Sequence, residues 1–142
     1  MILLDANVLI YAIDADAAHH KAARRWLEAT LSGSAHVGMA WVVVRAFLRI
    51  TTHPKVMRTP LTPEAAMAYL DEWLALPCVG FVVPGERHWA IMKNLIAAAG
   101  TAGNLTTDVH LAVLAIEHGY AIASTDNDFR RFAGLKCISP LG

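Results

Sequence analysis

Several things are scarce in this chain of 142 residues, and each scarcity excludes a class of protein. There are two cysteines, Cys78 and Cys137, without C-x-x-C spacing, and the seven histidines contain no H-x-x-x-H pair. No zinc or redox motif follows, and two reduced, buried thiols in a cytoplasmic protein are the simplest reading. Net charge is absent as well. Twelve basic residues balance twelve acidic ones, so bulk charge predicts no nucleic-acid binding, and an RNA partner requires a local basic patch. No apolar run reaches the length of a membrane helix, so no membrane is expected, and the first residues lack the basic start of a signal peptide. Linkers, repeats and low-complexity stretches are missing too. With 56% hydrophobic residues, disorder is excluded and one domain over 1–142 is expected. So few charges also leave apolar surface for a partner.

What is present alternates in period. Short apolar runs predict strands at Ile2–Leu4, His36–Ala40, Val79–Val83, Tyr120–Ala123 and Lys136–Ser139. Between them lie helical patterns at Val8–Ala12, Ala17–Leu31, Ala65–Leu76, Glu86–Ala99 and from Thr106 or Thr107, as cap, to His118. In Trp41–Thr52, Val42-Val43-Val44 favours a strand by propensity. Trp41, Val44, Leu48 and Thr51 instead follow helical spacing, which predicts a buried helix. The alternation predicts an α/β fold: one domain of three layers, with a central, mostly parallel sheet flanked by helices.

Chemistry is expected where acids leave strands. Asp5 follows the first strand, and Asp126 and Asp128 follow the fourth. Taken alone, Asp5 reads as an ordinary helix cap. If the two strands share a parallel sheet, their carboxyl ends share an edge and these acids converge there. Asp108 sits in the first turn of a helix, which suits the macrodipole. It also heads an apolar face with Leu111, Ala112 and Ala115, so it points inward and needs a partner. Glu117 falls opposite and is expected on the surface. Converging carboxylates repel one another, and a divalent cation with oxygen preference, Mg²⁺ or Mn²⁺, relieves that.

Three stretches, Met1–Leu9, Thr107–Ala112 and Ser124–Phe129, resemble the acidic signatures of PIN domains. Their order and the chain length resemble the VapC-type toxins of bacterial toxin–antitoxin pairs. The resemblance implies a PIN-like fold and a metal-dependent endoribonuclease that cuts structured RNA such as tRNA or ribosomal RNA. Water would attack a phosphodiester, leaving a 5′-phosphate and a 3′-hydroxyl. It also implies a VapB-type antitoxin and a homodimer. Carried over by position, Asp5, Asp108 and Asp126 would be metal ligands and Asp128 would support them. Asn7 and Thr125 would hydrogen-bond and orient the carboxylates. One departure stands out. PIN nucleases usually carry another acid on the helix after the second strand, where this chain has Ala46 or Val44, and no acid occurs between Glu28 and Glu64. One bound metal, recruitment of Asp128, or weaker activity would each follow.

That acid-free stretch holds Arg45, Arg49, Lys55 and Arg58. It reads either as a solvated edge or antitoxin contact, or as a phosphate track for RNA. Trp41, Trp73 and Trp89 are expected in the core, with a groove for an amphipathic antitoxin helix as the alternative. Two other functions stay open beside the nuclease. One is a PIN-fold module that binds RNA or protein without turnover. The other is an aspartyl-phosphate enzyme, disfavoured because the late lysine, Lys136, precedes its apolar run.

Overall fold

A three-residue strand with apolar side chains on both faces is stable only inside a sheet that helices cover on both sides. β1 (Ile2–Leu4) has that position: Leu3 and Leu4 are fully buried. In the computed structural model, which describes residues 1–142, β1 lies between β2 (Val37–Met39) and β4 (Ala121–Ala123). β3 (Val79–Phe81) and β5 (Cys137–Ile138) close the edges, giving the order β3-β2-β1-β4-β5. Every pairing is parallel, so the sheet is wholly rather than mostly parallel. The chain runs outward from β1 through β2 to β3, then crosses back to β4. The order therefore reverses beside β1, and the crevice beyond the carboxyl ends of β1 and β4 is the topological switch point.

Six helices flank the sheet: α1 (Ala6–Ile13), α2 (His20–Leu31), α3 (Trp41–Thr51), α4 (Pro63–Leu74), α5 (His88–Ala99) and α6 (Thr106–His118). α1 packs on α2 and α3, and α3 packs on α4, while α5 pairs with α6. Right-handed crossovers put these two groups on opposite faces. α3 is a helix despite its valine run, because Val43, Val44, Phe47 and Thr51 form a buried stripe at helical spacing. α4 starts where Thr62 accepts from the Ala65 N–H, with Pro63 in the first turn. α6 ends at Gly119, whose φ of 77° suits glycine and turns the chain into β4. No helix is long and apolar enough to cross a membrane.

Several local expectations change. Neither Thr106 nor Thr107 caps α6. A 3₁₀ turn over Gly103–Leu105 leads straight into the helix, and the Thr106 hydroxyl donates back to the Gly103 carbonyl. α2 begins at His20 rather than Ala17, because the turn that opens at Asp14-Ala15-Asp16 extends through His19. By helical spacing Met67, Leu70 and Leu74 share one stripe of α4, yet Met67 is exposed, since the covered stripe runs through Ala66 and Leu70. Of the three tryptophans expected in the core, Trp73 packs against it, while Trp41 and Trp89 are 56% and 62% exposed. Both exposed rings sit in the first turns of their helices, and Trp41 is covered on one side only, by Phe81 at the end of β3.

Glu117 lies near the surface, as expected, but its side chain is covered. Its side chain is 5% exposed, and its carboxylate accepts from the N–H groups of Gly85 and Arg87 at 2.8 and 2.9 Å. Burial opposes its charge, but those two amides, with His118 and His88 beside it, hold its pKa below the usual range. The wheel put it opposite Asp108, and there the turn between β3 and α5 covers it.

Candidate metal centre

Strand pairing builds the site. Ile2, Leu3 and Leu4 align with Ala121, Ile122 and Ala123, so the residues after each strand meet. Asp5 Oδ1 accepts from the Ala6 N–H at 2.8 Å, which is the helix cap, and Oδ2 accepts from the Ser124 hydroxyl at 2.7 Å. The cap and the site are thus the same carboxylate, seen from its two oxygens. Ser124 Oγ also accepts from the Asp126 N–H at 2.9 Å and from Asn7 Nδ2 at 3.3 Å. Asn7 Oδ1 in turn accepts from the Thr125 N–H. Thr125 joins through its backbone rather than its hydroxyl. Asp126 Oδ1 accepts from the Asp128 N–H, which fixes the turn after β4.

Ser124 is the residue the sequence reasoning passed over. A serine two positions before an aspartate is a common turn signal. Here its buried hydroxyl links both strand ends.

Asp108 comes from the first turn of α6 on the far side of the crevice. Asp108, Asp126 and Asp128 each present an oxygen, all within 4.8 Å of one another. Asp5 stands behind this trio rather than within it, close enough to act on Asp108 electrostatically. Burial, then Asp126, Asp5 and Asp128, push the Asp108 pKa up to about 6, against a small opposing effect of Arg131. Asp5 is raised chiefly by burial, with the Ser124 and Ala6 hydrogen bonds working against the rise. The one cation touching the trio is Arg131, 3.4 Å from Asp128. Three hard oxygen donors with this mutual repulsion fit a divalent cation of the Mg²⁺ or Mn²⁺ type.

α3 meets the start of α6 at Thr107, the residue before Asp108. Val44 is buried in the core, whereas Ala46 lines a cleft of 260 Å³ with Val42, Arg45, Arg49 and Thr107. Of the two candidate positions for the absent acid, only Ala46 therefore borders the side where Asp108 begins. Arg45 and Arg49 face this cleft and form no ion pair. Lys55 and Arg58 are exposed in the segment after α3 and do not line it.

The PIN domain family model matches residues 2–135. The chain is 44% identical over 140 residues to Ribonuclease VapC37 of Mycobacterium tuberculosis, covering 99% of this chain and 97% of that protein. Among solved structures it is similar to VapBC2 from Rickettsia felis bound to a promoter DNA fragment. The TM-score is 0.71 at 18% identity, with 98% of each chain covered. It is also similar to VapC20 of Mycobacterium tuberculosis, described as a sarcin-ricin loop cleaving toxin. There the TM-score is 0.64 at 17% identity, covering 96% of this chain and 99% of that one. Model and relative cover nearly the whole chain, signatures included: it belongs to the PIN-domain family, among the VapC ribonucleases.

Proposed function

We infer that this ribonuclease hydrolyses phosphodiester bonds of structured RNA, with tRNA or ribosomal RNA as target class, at the carboxylates beyond β1 and β4. The carrying observation is the trio Asp108, Asp126 and Asp128, within 4.8 Å of one another and backed by Asp5. Asp108, Asp126 and Asp128 present the converging oxygens that would hold Mg²⁺ or Mn²⁺, and Asp5, behind them, would serve as a further ligand. Such an ion, when bound, polarises a phosphoryl oxygen and makes water more acidic. The chain's own groups do the rest. Ser124 and the Ala6 N–H fix Asp5, while the Ser124 hydroxyl and the Asp128 N–H fix Asp126. Asn7 and Thr125 tie the two strand ends together. Arg45 and Arg49 would guide phosphates along α3 toward Thr107. Ribosomal RNA is supported by the likeness to VapC20, whose stated substrate is the sarcin-ricin loop.

A small antitoxin would silence the enzyme, in line with the likeness to VapBC2. A cleft of 470 Å³ where α1, α2 and α4 meet suits an amphipathic helix. It has Ile13, Leu27 and Trp73 as floor and Arg24 and Glu72 on its rim. A homodimer is the expected unit.

The test is cleavage of an RNA pool by antitoxin-free protein with Mg²⁺ or Mn²⁺, beside an Asp5→Asn control. Metal-dependent ends that vanish in the control support the reading. A parent protein that binds RNA but never cuts it would favour the non-catalytic module, for which Ala46 is the argument.

A further inference from the structure

We propose that Trp41, backed by Phe81, is a stacking platform for one unpaired RNA base beside the scissile phosphate. The proposal rests on the ribonuclease reading and adds the form of RNA that the site takes.

Trp41 and Phe81 stack with ring centroids 4.1 Å apart and planes 13° from parallel. Such a pair in a core would be ordinary. These rings remain 56% and 40% exposed, at the first residue of α3 and the last of β3. Phe81 covers one face of the indole and holds it in position, and the indole borders a second cleft, of 480 Å³. Arg45, Met92, Thr107 and His110 line that cleft with it. Val42, Arg45 and Thr107 belong to this cleft and also to the one holding Ala46 and Arg49. The two form one track along α3 that ends at Thr107, the residue before Asp108.

The chemistry of the track selects its occupant. No acid lines either cleft, and Arg45 and Arg49 pair with no carboxylate. A partner protein would have to bring an apolar side chain for the indole and separate carboxylates for both guanidinium groups, all at matching spacing. A nucleotide supplies both needs, a flat ring for Trp41 and a phosphate for Arg45. In a duplex each base is already covered by its neighbours, so only a splayed, single-stranded base can reach the platform.

The test uses the full chain carrying Asp108→Asn, so that bound RNA stays uncut. The probe is an oligouridylate with a single 2-aminopurine, used alone and annealed to its complement. Stacking predicts quenched 2-aminopurine fluorescence with the single strand and little with the duplex. Trp41→Ala should weaken single-strand binding about five- to 150-fold, and Trp41→Phe should restore most of it. Arg45→Gln should lower the slope of log affinity against log salt by about one, while Trp41→Ala leaves that slope unchanged. Unaltered binding and quenching in Trp41→Ala, with RNA cleavage by the parent protein intact, overturns the base subsite alone. Trp41→Ala protein that sediments as a smaller species but binds RNA normally overturns it too, and makes the aromatic pair an interface between copies. A parent protein that neither binds nor cuts RNA removes the ribonuclease reading and this proposal together.

Discussion

Asp108 is the residue whose chemistry is most sharply set by its surroundings. Its folded pKa of about 6 lies above the ordinary aspartate value near 3.9. The folded protein therefore holds a proton there that the unfolded chain has lost, and stability falls as pH rises between those two values. Metal-free protein should thus melt lower at pH 7 than at pH 4 on account of this group, as thermal melts across that range would record. Asp108→Asn should remove the slope. Solvent screens a half-exposed side chain, so the gain at pH 7 is on the order of 1 kcal/mol, roughly 3 °C in melting temperature. The same variant should lose the stabilisation that Mn²⁺ gives the parent. Cation binding should release protons near pH 6, visible as buffer-dependent heats in titration calorimetry. Asp108 was legible in the sequence because it heads an apolar helix face. Ser124 was not, because a serine after a strand is ordinary until the pairing of β1 with β4 brings Asp5 to its hydroxyl.

At the scale of elements, the turn between β3 and α5 is fastened to α6 by one carboxylate. A Cβ at Gly85 would lie 2.5 Å from Glu117 Oε2, so the tight approach depends on glycine. Glu117 has a depressed pKa, so its contribution is present above about pH 4.3 and fades as pH falls through its folded value. Glu117→Gln should destabilise most near neutrality and least in acid, the opposite slope to that of Asp108, in the same series of melts. In β2, Gly38 has Val82 Cγ2 2.6 Å from where a Cβ would stand. Gly38→Ala should cost about 1–3 kcal/mol in urea unfolding, with an unchanged m-value. The alternation of strands and helices was readable because each element buries a stripe of its own period. Burial of Trp41, Trp89 and Glu117 was not, because a helical wheel has no ends. It cannot show which side of a first turn is left uncovered or that a loop from elsewhere covers a polar face.

The whole molecule has no net charge, so its affinity for RNA must come from a few local cations rather than from a field. The slope of log affinity against log salt should be shallow, about two to three, if Arg45 and Arg49 supply most phosphate contacts. A slope beyond about six would mean that the track extends over Lys55, Arg58 or other basic residues. The parallel pairing of β1 with β4 has a further consequence, and it concerns time. Asp5 leaves the ribosome well before Asp126, and the two meet only when β4 docks beside β1. Every shorter nascent chain lacks half of the crevice and the central sheet contact that shapes it. At a synthesis rate of about 5–20 residues per second, the roughly 120 residues between Asp5 and Asp126 separate the two by about 6–24 seconds. A ribonuclease with this ordering of strands has no assembled carboxylate site until β4 has joined β1.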